Sequence, residues 1–247
     1  MDYGSLADDF FVNLSLQTTM PLPGDRESVL HFYETVQRQF PSMTGFFQRE
    51  TGEFVLEGDR DSGTYRWLEL SANRLAAGHF NPPSLAPATD LHRWLLERSI
   101  YFLGVNALDV DSLDILFGFN LDYVGNRDAI VAQAMMAGSP LGALLQDESA
   151  RCVECEPSYV ITLDPGCQTQ ARLHIETHSN SYQVRTGEYE DEPISIYLTV
   201  RQYPQPGKVF DLKASFEHQC ELCEELVTRV VLPNIVQPIS SAIATGG

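Results

Sequence analysis

The segment that decides the predicted fold is residues 114–131, DILFGFNLDYVGNRDAIV, near the middle of the 247-residue chain. Its apolar beginning predicts a strand, Gly125 predicts a tight turn, and the residues after it predict the start of a helix. The same order occurs near the N-terminus, where residues 14–17 lead to residues 24–30. The chain is therefore predicted to contain two copies of one α+β unit.

The first half alternates apolar and polar residues over 10–17, which predicts a half-buried strand. Apolar residues then recur at helical spacing over 29–40, and Pro41 is expected to end that helix. Several antiparallel strands and a second helix, capped near Thr89, are expected to follow. These strands are predicted at residues 46–47, 54–56, 65–70 and 75–80.

The second half predicts a helix from Asn126 to Met136 and a final helix through Phe216 and Val230. Between them, residues 147–157 are predicted to form a loop. Strands are expected at residues 159–163, 170–176, 182–186 and 194–200.

A second pair of matching segments supports the repeat. Leu68-Glu69, Asn73, Leu75 and Gly78 are matched by Ile175-Glu176, Asn180, Tyr182 and Gly187. The offsets of the two matches are about 101 and 107 residues, a difference that a few loop insertions produce. If the repeat is real, Gly24 and Gly125 occupy equivalent positions between a strand and a helix.

The predicted fold class is α+β, a tandem duplication of a strand-helix-antiparallel strands-helix unit. The first α+β half is residues 1–108 and the second is residues 109–247. Together they predict a large twisted antiparallel sheet with helices on one face. This order resembles the duplicated half-domain of the TATA-box-binding protein fold, which implies a fold and no function.

Residues 69–75 (ELSANRL), residues 79–82 (HFNP) and a following helix with Trp94 carry a second resemblance. They are similar to part of a sporadically distributed bacterial family of unknown function, about 250 residues long. The similarity covers residues 65–124. It implies the fold and no activity.

The charge of the chain limits its partners. The formal net charge is −18, and Lys208 and Lys213 are the two lysines among 16 cations. A field of this sign repels nucleic acid backbones and anionic membranes, so neither partner is expected. Residues 1–9 lack a secretory pattern, and no apolar run approaches a membrane span, so a cytoplasmic location is expected.

Two Cys-x-x-Cys pairs are the candidates for an inorganic site. Cys152, Cys155, Cys220 and Cys223 could in principle supply four thiolates to zinc. Cys220 and Cys223, however, share a helical stripe with Phe216 and Val227, where free cysteine packs as a small apolar residue. Core packing is the preferred interpretation, and no metal or cofactor is expected.

Other chemical patterns are weak. His174 and His178 are four residues apart but across a predicted strand and turn, and the acidic runs at 109–114 and 188–192 are interpreted as solvated loops. No phosphate-binding loop or catalytic elbow occurs. Arg26 and Arg127 are both expected to be surface residues in the first turn of a helix.

Two main functions remain open, and a third hypothesis is a zinc-stabilised regulator, which metal analysis of purified protein would test. The leading hypothesis is a non-enzymatic interaction or adaptor protein that binds an unknown protein partner or itself. The alternative is a small-molecule-binding protein, possibly enzymatic, with its site at the seam between the halves. A deep pocket with converging polar groups favours the ligand, whereas a broad apolar patch favours the partner.

Overall fold

The nine strands within the described residues form a single antiparallel sheet. The computed structural model describes residue 3, residues 6–145, residue 147 and residues 149–246. The strands are β1 (Asp9–Thr18), β2 (Met43–Gln48), β3 (Phe54–Gly58), β4 (Tyr65–Leu70), β5 (Arg74–Phe80), β6 (Val110–Leu121), β7 (Ser158–Thr162), β8 (Thr169–Glu176) and β9 (Ile194–Gln202). Their order across the sheet is β2-β3-β4-β5-β1-β6-β9-β8-β7.

The first and second halves of the chain meet at the centre of this sheet. Strands β1 and β6 pair in register from Asp9↔Asn120 to Gln17↔Ser112, with a bulge next to Thr18. Strand β1 also pairs with β5, and β6 with β9, so neither central strand has a free edge. The halves therefore share one sheet, and their seam is a continuous hydrogen-bonded ladder.

Six α-helices accompany the sheet. They are α1 (Arg26–Gln39), α2 (Leu85–Phe102), α3 (Arg127–Met136), α4 (Ser181–Thr186), α5 (Leu212–Leu226) and α6 (Gln237–Gly246). The helix α2 begins four residues before the predicted cap at Thr89. Pro87 lies within its first turn, where the missing backbone N–H of proline costs no helical hydrogen bond.

Alternation along the strands places the apolar side chains on one face. In β1 the side chains of Val12, Leu14 and Leu16 are fully buried, whereas their neighbours in sequence are partly exposed. The buried set joins one apolar cluster with α1, α2 and α5, to which Phe32, Leu95 and Phe216 belong. The fold is thus α+β, with a large antiparallel sheet whose buried face packs against helices.

The final helix is longer than its apolar stripe predicts. A π-helical segment, Val227–Val236, joins α5 to α6, and it contains Pro233. The wider turn accommodates a proline that would break an ordinary α-helix. The helix over Leu212–Thr245 reaches a mean hydropathy of 1.3 and is, by length and composition only, apolar enough to cross a membrane. The expectation from the sequence is that no apolar run approaches the length of a membrane span.

The predicted strand at residues 182–186 is wrong, because these residues form α4. Asn180 caps the helix by accepting from the backbone N–H of Gln183, whose side chain accepts from the backbone N–H of Asn180. Gly187 ends the helix in the left-handed conformation. The corresponding segment of the first half, from Asn73 to Gly78, instead lies in a turn and β5. The second pair of matching segments therefore differs in structure.

The first pair of matching segments has similar local structure. Asp25 and Asn126 cap α1 and α3, each accepting a backbone N–H three residues later at 3.0 Å. Gly24 and Gly125 directly precede these caps. Each glycine thus ends a connection from a central strand to a helix.

Candidate functional site

The open face of the sheet, opposite α2 and α5, carries three cross-strand rows of side chains. The first, named the aromatic row, contains Tyr65, Phe80, Phe11, Gly118, Tyr197 and His174. Ring centroids of neighbours along this row lie 5.3–6.4 Å apart. These spacings fall in the range of favourable aromatic contacts.

Gly118 makes the aromatic row continuous. A Cβ atom at this position would lie 2.2 Å from the Phe11 ring, so only glycine allows that ring to cross β6. The ring of Phe11 thereby reaches Tyr197 on β9, with centroids 6.1 Å apart. Burial raises the pKa of Tyr197, so its hydroxyl stays protonated at neutral pH.

The second row, named the polar row, contains Trp67, Gly78, Asn13, Leu116, Thr199, Arg172 and Val160. A Cβ at Gly78 would lie 2.2 Å from Asn13 Oδ1 and 2.3 Å from the indole nitrogen of Trp67. Glycine therefore lets an amide and an indole converge over one point of the sheet. Asn13 Oδ1 is buried and makes no hydrogen bond with the described residues.

The third row, named the ion-pair row, contains Glu69, Ala76, Ser15, Asp114, Arg201 and Gln170. Arg201 donates two hydrogen bonds to Asp114, from Nε to Oδ1 at 2.7 Å and from Nη2 to Oδ2 at 2.5 Å. Hydrogen bonding to this carboxylate raises the pKa of Arg201, so its guanidinium stays charged. Glu69 contacts Arg74 and also lies 3.2 Å from Arg49.

A cavity of about 490 Å³ lies over the polar and ion-pair rows. Its lining includes Trp67 of β4 and Val160 of β7, which are six strand steps apart in the sheet. In a flat sheet those strands would be separated by ~29 Å, so the sheet curls and this face is concave. Asn13 and Ser15 of β1 and Asp114 and Leu116 of β6 line the floor. The cavity therefore straddles the seam between the halves.

Arg172 differs from the other two arginines of the cavity, Arg74 and Arg201. Its Nε donates to Ser158 Oγ at 3.3 Å. Within the described part of the chain, it forms no ion pair. Arg172 is exposed, so its guanidinium is accessible to a solute.

The run 109–114 is only partly the solvated loop that the sequence predicts. Val110–Leu121 is β6, and Asp114 is 8% exposed, with Arg201 opposite it on the neighbouring strand. The fold thus turns the last carboxylate of an acidic run into a component of the cavity. The signal available in the sequence was the apolar residue at every second position from Leu113 onward.

The structure does not bring the four candidate cysteines together. Cys152 and Cys155 lie in the loop before β7, where the backbone N–H of Cys155 donates to Asp128 Oδ1 at 2.6 Å. Cys220 and Cys223 are buried in α5 against the sheet, and the predicted burial is confirmed. Across residues 3, 6–145, 147 and 149–246, no group of three metal-ligating side chains occurs.

Burial raises the pKa of Cys220 to about 12 and also raises the pKa of Cys223 well above its ordinary value. Both thiols are therefore protonated and poor metal ligands. We expect Cys223→Ala to lower the free energy of unfolding by about 1–2 kcal/mol, a small cavity penalty. We also expect a chelator to leave the melting temperature unchanged. Stoichiometric zinc in elemental analysis of purified protein would contradict this packing role.

The histidines lie outside a metal-binding arrangement. His174 and His178 contact the same carboxylate, that of Glu176, at 3.2 Å and 3.4 Å. His79 and His92 are buried between β5 and α2, where burial lowers the pKa of His79 to about 4 and that of His92 to about 3. Both buried rings are neutral at physiological pH.

The predicted surface position of Arg127 is wrong, whereas Arg26 is exposed. Arg127 is 0% exposed and donates to three backbone carbonyls: Thr177 at 2.6 Å, Glu190 at 2.7 Å and Glu192 at 3.0 Å. The loops around α4 fold over the start of α3 and enclose the guanidinium. Sequence alone does not show that these carbonyls converge.

A second concavity, the α2–α5 groove, lies on the helical side. It has a volume of about 730 Å³ and is lined by the end of α2 and the start of α5. Tyr101 is 79% exposed and Val209 is 82% exposed at its margin. Charges of both signs, including Glu97, Arg98 and Lys213, surround these apolar side chains.

The chain is thus an α+β protein with an open antiparallel sheet, and the exposed face of that sheet carries a concave polar cavity. Neither a protein-family model nor a curated protein sequence matches the chain.

Proposed function

We propose that this protein binds a small polar molecule in the concave cavity at the seam between the halves. The observation that carries this proposal is the convergence of Asn13, Arg172 and Arg201 on one cavity of about 490 Å³. That volume lies within the range of ~300–1,000 Å³ common for ligand pockets. The cavity supports small-molecule binding at the seam over the adaptor function.

Rigid support of the cavity favours binding. The floor strands β1 and β6 are paired on both sides, and Gly78 and Gly118 fix the positions of Trp67 and Phe11. A preformed site loses less conformational entropy when a ligand is bound. Binding without catalysis is the proposed activity.

A thermal-shift screen tests the proposal. The probes are short-chain carboxylates, inorganic phosphate, and neutral amides and polyols. A ligand at 100 times its Kd adds about 2.7 kcal/mol, which raises the melting temperature by about 5–10 °C in a chain of this size. We expect at least one probe to do so.

Matched variants locate the effect. Thr199→Trp fills the cavity from β9, whereas Thr186→Trp adds the same ring on an exposed residue of α4. The stabilisation should disappear in the first variant and persist in the second. If no probe stabilises the wild-type protein, or if Thr199→Trp leaves the effect intact, the proposed site is wrong.

A second candidate function is self-association through the α2–α5 groove. Exposed Tyr101 and Val209 supply an apolar centre, and the surrounding charges of both signs let the groove complement a second copy of itself. Sedimentation equilibrium should then show a dimer that Tyr101→Ser weakens. A monomeric wild-type protein at high concentration contradicts this candidate.

We also propose that the two halves arose by duplication of a unit similar to the TATA-box-binding protein repeat. The support is the matched order of strand, glycine, capping residue and helix at Gly24 and Gly125. Residues 10–40 and 113–137 should superpose as strand, turn and helix in an experimental structure. A different path of the two segments would contradict the duplication.

A further inference from the structure

The charges within the concave cavity are not equally available to a ligand. The guanidinium of Arg201 is occupied by both oxygens of Asp114, and Arg74 contacts Glu69. Asp114 and Glu69 are each 8% exposed, and each carboxylate neutralises its arginine, although the side chains of Arg201 and Arg74 are 43% and 41% exposed. Arg172 is the cation of the cavity that remains without a carboxylate partner in the described chain. The cavity therefore has one uncompensated positive charge.

One free guanidinium matches one carboxylate. The Nε of Arg172 is used by Ser158, which leaves the two terminal nitrogens to donate to the two oxygens of a carboxylate. Phosphate carries more charge and more acceptor oxygens than one guanidinium satisfies. The net charge of −18 also opposes a multiply charged anion more strongly than a singly charged one.

Asn13 supplies the second requirement. Its buried Oδ1 atom has no hydrogen-bond partner among the described residues, and leaving a buried acceptor unsatisfied is unfavourable. The register places Asn13 three strands from Arg172, which corresponds to ~14 Å between their backbones, and the Arg172 side chain reaches Ser158 of β7. A bound molecule with a donor remote from its carboxylate satisfies both groups.

We infer that the cavity ligand is a small monocarboxylate that carries a hydroxyl or amide N–H donor. Its carboxylate binds the terminal nitrogens of Arg172, and its donor binds Asn13 Oδ1. This inference rests on the proposed binding function, since it names the class of ligand for the same cavity. Trp67, beside Asn13, forms the apolar wall against which the carbon chain of the ligand packs.

Isothermal titration calorimetry with paired probes tests the ligand class. The probes are short hydroxy acids and N-acyl amino acids, each compared with its own carboxamide, together with inorganic phosphate. We expect an acid to bind at least about tenfold more tightly than its carboxamide and than phosphate, since a hydrogen bond to a charged group is stronger than one between neutral groups.

Variants then assign the contacts. Arg172→Gln should weaken binding of the acid at least about tenfold and abolish the preference over the carboxamide. Arg172→Lys should restore part of the preference, because it keeps the charge without the planar fork. Asn13→Leu should weaken the hydroxy acid more than the same acid without its hydroxyl. Arg38→Gln, an equal charge change on an exposed residue of α1, should bind as wild type.

The outcomes separate the two proposals. Equal affinity for acids and carboxamides, tighter binding of phosphate, or acid binding that Arg172→Gln leaves unchanged overturns the carboxylate inference while the cavity remains a binding site. Absence of binding by every probe, neutral compounds included, overturns the binding site and the carboxylate inference together. Circular dichroism of each variant confirms that folding is retained before affinities are compared.

Discussion

Arg127→Met is expected to lower the free energy of unfolding by about 3–5 kcal/mol, the cost typical of breaking a buried charged network. The guanidinium donates to the carbonyls of Thr177, Glu190 and Glu192, and methionine offers none of these donors. The substitution would also remove the ion pair with Glu192, in which Arg127 Nη2 lies 3.8 Å from Glu192 Oε2. Chemical denaturation of both proteins at neutral pH measures the difference.

Arg26→Met is the matched control, because Arg26 is the first residue of α1 as Arg127 is of α3. Arg26 is exposed, so its replacement should change the free energy of unfolding by no more than about 0.5 kcal/mol. If Arg127→Met lowered the free energy of unfolding as little as Arg26→Met does, the three carbonyl contacts of Arg127 would contribute nothing to stability.

Acidification from pH 7 to pH 5 is expected to remove about 4 kcal/mol of stability through His79 and His92 together. Burial lowers the pKa of His92 to about 3 and that of His79 to about 4, from an ordinary value of 6.5. As pH falls below 6.5 the unfolded chain binds protons that the folded protein rejects. The stability that depends on neutral His79 and His92 is fully present above pH 6.5. It declines as the pH falls, until the pH reaches the pKa of each histidine in the folded protein.

Denaturation curves at pH 7 and pH 5 measure this loss. His92 makes no hydrogen bond of ordinary geometry, although the backbone of Ala77 lies close enough to oppose part of its pKa shift. His92→Leu should therefore fold at pH 7 and lose about half as much stability at pH 5. His218→Gln, at an exposed position of α5, should lose as much stability between pH 7 and pH 5 as the wild-type protein does. Equal pH dependence of wild type and His92→Leu contradicts the role of the buried ring.

Much of the architecture follows from local patterns in the sequence. Alternation over 10–17 predicts β1, observed as Asp9–Thr18, and the stripe through Phe216 predicts α5. The helix α4 was missed because six residues are too few to show helical periodicity, although the capping pair Asn180 and Gln183 signals it. The extension past Pro233 was missed because proline usually ends a helix.

The candidate site was less accessible to sequence reasoning. A seam between the halves was anticipated, but its residues were not. Asn13, Trp67 and Arg172 belong to β1, β4 and β8, which the sequence separates by up to 159 positions and the sheet places in one row. No motif joins them. Strand order decides which polar residues meet, and strand order depends on long-range pairing that local patterns do not contain.

The pairing of β1 with β6 also has a consequence for synthesis on the ribosome. Strand β1 emerges first, but one of its two edges stays unpaired until β6 follows, about 90 residues or more later in the chain. At ~5–20 residues per second, that edge is open to other chains for several seconds. Slow translation between the two strands prolongs this interval. Expression yield should therefore respond to codon choice in the intervening segment and to chaperones that cover exposed strands.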